Sequence, residues 1–201
     1  MKEDAPTRWH SRGYLPHFDG GGTTQFLTFR LADSLPQGIL ENLRLKVEKE
    51  LIAEREMLIR IEEYLDQGIG NCYLRRPEIA EIVEENLLKF EEVKYKLHSW
   101  VIMPNHVHLL LTPREGHSLS EIVHSSKSFT ANRANKMLGL EGRFWFPEAF
   151  DRFMRDYEHF EKTLTYIENN PVKAGLCKKR SDWRFSSAWH RENGAPAASL
   201  Q

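Results

Sequence analysis

Cysteine is nearly absent: Cys72 and Cys177 are the only two in 201 residues, and their spacing suits neither a disulfide framework nor a zinc ribbon. No apolar run approaches the roughly 20 residues of a membrane span. The opening "MKEDAPTRWH" lacks the apolar stretch of a signal peptide, so a cytoplasmic protein is expected. There are no internal repeats and no low-complexity tract. Net charge is also nearly missing, at −1, but its distribution is uneven. Residues 37–92 carry 8 basic and 14 acidic side chains, and residues 93–201 carry 16 and 11. A polyanion is therefore expected to meet the ends of the chain and to avoid the middle.

With 40% hydrophobic and 28% charged residues, the chain has the composition of one soluble globular domain. "TTQFLTFRL" (23–31) reads as a strand. From Gln37 to Asp66 apolar residues recur at three- and four-residue steps, which predicts one charged helix. Pro77 stands where a proline opens a second helix, running to about Phe90. "KYKLHSWVIM" and "HVHLLLT" read as strands joined by a tight turn at Pro104–Asn105. Ser118 and Glu121 form a capping box for a helix to about Leu138. "RFWFPEAFDRFM" reads as an irregular edge strand. A last helix is expected from about Asp156 to Asn170, because Pro171 disfavours helical geometry in the residue before it. Four strands interleaved with helices in this order predict an α+β fold, a ferredoxin-like antiparallel sheet. The whole chain, 1–201, is read as one domain, with 37–92 a helical elaboration acting as scaffold and 173–201 a basic C-terminal tail.

The chemistry is concentrated in two short stretches. In "PNHVHLLL", His106 and His108 fall on one face of a strand, where two imidazoles can share one ligand. In "TLTYIENNPVKAGL", Tyr166 and Asn170 are four residues apart on one helical face, and Asn169 lies on the other flank of the tyrosine. Taken separately, each pair is more economically a set of core or capping side chains. Combined, two neutral imidazoles and an amide oxygen can hold a divalent cation with open positions, beside a tyrosine able to act as a nucleophile.

"PNHVHLLL" with "YIENNPVKAGL" resembles the HUH endonuclease superfamily, and within it the single-tyrosine, IS200-like transposases related to the REP-associated tyrosine transposases. "RGYLPHFD", "TFRLADSLP", "SFTANRANKMLG", "FDRFMRD" and "DWRFSSAW" are similar to the same family. The resemblance implies metal ligation by His106, His108 and Asn170, with Asn169 as a substitute, and nucleophilic attack by Tyr166. Asn170 stands where many insertion-sequence relatives have glutamine. The resemblance further implies Mg²⁺ or Mn²⁺, a 5′-phosphotyrosine intermediate, and single-stranded or hairpin DNA as partner, here repetitive extragenic palindromes. Whether one chain or a homodimer completes the site stays open. Phosphate contacts are expected from Lys127, Arg133, Lys136, Lys173, Lys178, Lys179, Arg180 and Arg184, and flanking-strand contacts from Arg8, Arg12 and Tyr14. Two rival readings are a metal-dependent phosphodiesterase using water and a domesticated hairpin-binding protein.

Overall fold

The computed structural model describes residues 9–11, 16–18 and 22–194, the first two stretches as backbone only. Its centre is a four-stranded antiparallel sheet of β3 (Gln25–Arg30), β4 (Tyr95–Ile102), β5 (His106–Pro113) and β6 (Phe150–Phe153), in the order β4-β5-β3-β6. β1 (Trp9–Ser11) and β2 (Pro16–Phe18) form a separate hairpin ladder. Six helices complete the fold: α1 (Gln37–Glu48), α2 (Glu54–Asp66), α3 (Pro77–Lys89), α4 (Leu119–Leu138), α5 (Tyr157–Lys173) and α6 (Ser187–Asn193). This is the α+β, ferredoxin-like arrangement expected from the element order.

Alternation along the central strands assigns the two faces of the sheet. Leu27, Phe29, Val107, Leu109, Leu111, Trp100 and Ile102 pack with residues of α3 and α4 in the larger core. Phe26, Val101, Met103 and Leu110 face the other way and enclose Ile167 of α5. Register pairs Thr28 with His108 and Arg30 with His106. The histidines are thus on the α5 face.

Three expectations are corrected. The single helix over 37–66 is two, because Glu50 adopts a left-handed φ of 55° and Leu51 turns outward; no glycine or proline marks that break. The last helix passes Asn170 and includes Pro171. The proline forgoes the bond its amide would make to Ile167 O, and the chain past it is still tied back to the helix, Ala174 donating to Asn170 O and Leu176 to Pro171 O, each at 2.9 Å. Residues 176–194 of the expected basic tail are folded. Ile102 donates its amide to Phe185 O at 2.9 Å, Trp183 Nε1 donates to Ile102 O at 2.9 Å, and Ser186 bridges Val101. The segment covers the outer edge of β4.

Candidate active site

His106 and His108 are almost fully buried, at 1% and 0% exposure, and their Nε2 atoms stand 3.1 Å apart. The flanking hydrogen bonds explain that aim. Asn105 donates its amide Nδ2 to Ile69 O at 3.0 Å, which turns Oδ1 toward His106 Nδ1 at 2.8 Å. An amide oxygen only accepts, so His106 carries its proton on Nδ1 and leaves Nε2 with a lone pair. His108 Nδ1 lies 2.7 Å from the Thr28 hydroxyl, a group that can donate or accept. Both rings are held at the far nitrogen, the arrangement that orients metal-binding imidazoles. Burial, followed by the Lys173 charge, holds His106 neutral with a pKa lowered to about 3. Burial, His106 and Lys173 push His108 well below its usual value.

The loop behind Asn105 depends on one glycine. Gly70 has φ +92°, and a Cβ there would lie 2.6 Å from Asp33 O. Asn71 donates its backbone and side-chain amides to Asp33 Oδ2 at 2.8 and 2.7 Å. The close approach of these segments places Ile69 O under Asn105.

Tyr166 comes to the pair from α5, its ring 5.6 Å from that of His108 and 6.0 Å from Phe26. Its hydroxyl lies against Glu62 and Asn170 without meeting hydrogen-bond geometry with either. Burial raises its pKa, and Glu62 and Asp66 raise it further. Glu62 is itself raised by burial. Asn170 is 0% exposed, and both atoms of its amide lack a partner; Asn169 is exposed. A buried carboxamide normally satisfies its donors and acceptor, so the orphaned amide against the Tyr166 hydroxyl suits a cation completed by oxygen. This donor set, two neutral nitrogens and one amide oxygen, fits a divalent ion.

The acidic helix α2 is closer to the chemistry than a scaffold would be. Its Glu62 and Asp66 flank Tyr166, and Asp66 Oδ2 receives Lys173 Nζ at 2.7 Å. Lys173 also lies 5.7 Å from the Tyr166 ring. Arg152 of β6 lies within electrostatic reach of Glu62, Tyr166, Arg55 and Arg155. Sequence reading missed Thr28, Asn105, Glu62, Asp66 and Arg152. Asn105 had a signal, since it directly precedes the histidine pair; Glu62 had none, because only the fold lays α2 over α5.

The expected phosphate contacts separate into groups. Lys136, Lys178 and Lys179 are exposed and form no ion pair among the described residues. Lys127 is spent on Phe146 O and Pro147 O at 2.6 and 2.8 Å. Arg133 lies 3.6 Å from Glu85. Arg180 reaches the buried Glu168 at 3.2 Å, and Arg184 clasps Glu84 at 2.7 and 3.1 Å. Arg8, Arg12 and Tyr14 lie outside the described residues.

Known proteins resemble this chain over the stretch that holds these residues. Residues 74–170, which span both histidines, Tyr166 and Asn170, match the family model "Transposase IS200 like". The REP-associated tyrosine transposase of Escherichia coli strain K12 is 32% identical over 100 residues, covering 49% of this chain and 56% of that protein. The chain thus spans little more than half the length of this curated relative. A solved REP-associated tyrosine transposase bound to a REP hairpin shares the fold, with a TM-score of 0.57 and 19% identity over 94% of this chain and 92% of that one. Over residues 74–170 the chain is therefore similar to the IS200-like transposases, and over about half its length to a REP-associated tyrosine transposase, as the resemblance in its sequence implied.

Proposed function

We propose that this protein is a metal-dependent, single-stranded DNA nicking and rejoining enzyme that acts on hairpin-forming repeats through Tyr166. One observation carries the reading: a phenol, with an unpartnered buried carboxamide against its hydroxyl, stands beside a histidine pair whose Nε2 atoms converge. His106, His108 and Asn170 hold a divalent cation, Mg²⁺ or Mn²⁺, which when bound polarises the scissile phosphate. Thr28 then accepts from His108 Nδ1, so that both Nε2 lone pairs face the same point.

The Tyr166 oxygen attacks phosphorus and the bond to the 3′ oxygen breaks, giving a 5′-phosphotyrosine link and a free 3′ hydroxyl. The phenolic proton passes to the Glu62 carboxylate, which lies against that hydroxyl, as the new bond forms, and the departing 3′ oxygen takes a proton from solvent. Because the intermediate is itself a phosphodiester, the 3′ hydroxyl of a strand can reverse the step without a nucleotide cofactor. Burial keeps bulk water from the tyrosine and so protects the covalent link. The expected phosphate contacts that remain exposed and unpaired among the described residues, Lys136, Lys178 and Lys179, contact DNA phosphates, and Lys173 and Arg152 border the scissile strand. The hairpin in the related solved structure supports a hairpin substrate here.

The test is incubation of the protein with hairpin-bearing single strands and Mn²⁺, reading a protein–DNA adduct that survives denaturation. The adduct is expected with wild type and absent with Tyr166→Phe, while hairpin binding changes by less than about threefold, since the aromatic packing is kept. A Tyr166→Phe protein that still cuts would make water the nucleophile. Binding without cutting by wild type would leave a hairpin-binding protein.

A further inference from the structure

Beside the proposed catalytic centre, the structure holds a buried arginine whose hydrogen-bonding capacity is largely unused. Arg30 is 7% exposed and sits on the same sheet face as His106, its register partner. Its guanidinium lies 3.7 Å from the centre of the Phe146 ring and donates to Ser34 Oγ at 3.2 Å. That is the single hydrogen bond of the side chain among the described residues, against five N–H donors available to an arginine.

Two further cations approach. Arg44 of α1 reaches Glu148 at 3.8 Å, and Lys127 of α4 ends on the carbonyls of Phe146 and Pro147. For both Arg30 and Lys127 the carboxylate within electrostatic reach is Glu148. Glu148 is thus the carboxylate that these cations have in common. Burial and then Arg44 lower Arg30 to about 10, and burial and then Arg30 lower Lys127 to about 8.

Arg30, Arg44 and Glu148 line a cleft of about 60 Å³ whose other walls include Thr28, Glu62 and Phe150. Thr28 holds His108 and Glu62 lies against Tyr166, so the cleft opens directly from the candidate active site. Thr28 and Arg30 are about 7 Å apart along β3, on the order of one nucleotide step. The cleft is too small for a base and its walls are mostly apolar, which strengthens any charge interaction inside it.

We propose that Arg30, assisted by Arg44, is a subsite for a backbone phosphate of the DNA strand adjacent to the scissile one. The proposal rests on the reading of Tyr166 as a DNA nucleophile for the identity of the ligand, and on a guanidinium that makes one hydrogen bond beside the cleft for its place. A phosphate supplies the acceptors Arg30 lacks, in the bidentate form that suits a guanidinium. Glu148 is then a competitor that keeps the cations soluble in the fold until DNA displaces it.

The experiment measures binding of a mixed-sequence single-stranded oligodeoxynucleotide in metal-free buffer as a function of salt, with thermal melting in parallel. Arg30→Gln is expected to flatten the log–log salt dependence by about 0.7, the value for one contact to a single strand, while Arg30→Lys retains most of the slope. Glu148→Gln is expected to act in the opposite direction and tighten binding two- to threefold, which also covers the case in which Arg30→Gln fails to fold. An unchanged slope in a folded Arg30→Gln protein, or weaker or unchanged binding in Glu148→Gln, would make Arg30 a purely structural cation. The adduct assay with wild type is read separately. An adduct with no Arg30 effect overturns the subsite alone, and an Arg30 effect with no adduct overturns the nuclease reading alone.

Discussion

Lowering the pH from 7 to 5 in metal-free buffer should destabilise this protein through His106. The ring is buried, its Nδ1–H is held by Asn105, its Nε2 faces His108, and its pKa is lowered to about 3 by burial and then by Lys173. In the unfolded chain the same imidazole titrates near 6.5. Between those two values the unfolded state binds the extra proton, so stability rises with pH across that window. It is fully present above about 6.5 and is lost as pH falls toward about 3. From pH 7 to 5 the loss covers about 1.5 units at 1.36 kcal/mol each, or about 2 kcal/mol. His108 adds a loss of the same sign. Guanidinium unfolding at the two pH values, for wild type and His106→Asn, isolates the contribution, because the remaining titrating groups are shared. The variant should lose about 2 kcal/mol less than wild type over this interval. Added Mn²⁺ at pH 7 should raise the melting temperature of wild type and not of the variant. Equal pH dependence in the two proteins would mean that His106 is solvated or already charged in the native state, and the paired-imidazole site would fall with it.

His108→Ala and Asn170→Ala should each abolish Mn²⁺-dependent adduct formation, whereas His98→Ala and Asn169→Ala should leave it intact; loss at His98, whose Nε2 is engaged by Thr112 at 2.7 Å, would undo the assignment. Gly70→Ala forces a side chain into a φ of +92° and onto Asp33 O, so it should cost about 1–3 kcal/mol in denaturant melts and weaken Mn²⁺ binding by releasing Asn105; undiminished metal affinity would separate the loop from the site. Arg180→Gln should lower stability by about 1–3 kcal/mol, less than a charge left wholly unpaired because Arg191 and Ser187 still meet Glu168, without altering the salt dependence of DNA binding. Neutralising Lys178 and Lys179 together should instead flatten that dependence by about 1.4 to 1.8 on a log–log plot, and the reverse pattern in salt titrations would show that Arg180 is the DNA contact.

The order of strands and helices was legible because each core strand declares itself. β4 and β5 are long apolar runs separated by Pro104–Asn105, and Ser118 with Glu121 closes a reciprocal cap, Ser118 Oγ accepting from Glu121 N at 3.2 Å. The histidine pair was legible for the same reason, since period-two alternation alone puts both rings on one face. The break after α1 was not, because Glu50 bears the left-handed turn without a glycine. Charge counting was misleading at both ends of the argument. It read residues 37–92 as remote from chemistry, although Glu62 and Asp66 lie beside Tyr166. It also read the arginines after residue 173 as phosphate contacts, although Arg180 and Arg184 answer carboxylates at 0% and 8% side-chain exposure. A linear count cannot see pairing between residues about 100 apart in sequence, such as Arg184 and Glu84.

Those same ion pairs explain how the Tyr166 phenol on a helix is held in register with the histidine pair on a strand. Four nearby positions of α5 each face a different part of the fold. Tyr166 points to His108, Ile167 is buried against Phe26, Val101 and Leu110, Glu168 is gripped by Arg180, Arg191 and Ser187, and Lys173 binds Asp66 of α2. Rotating the helix by one residue, about 100°, would withdraw the phenol from the imidazoles. It would also strip a fully buried carboxylate of its cations, a change on the order of 3–5 kcal/mol. Glu168 therefore acts on the position of its neighbour two residues earlier and has no need to touch DNA. The C-terminal segment, by supplying Arg180 and Arg191, is part of what sets the angle at which Tyr166 meets the histidine pair.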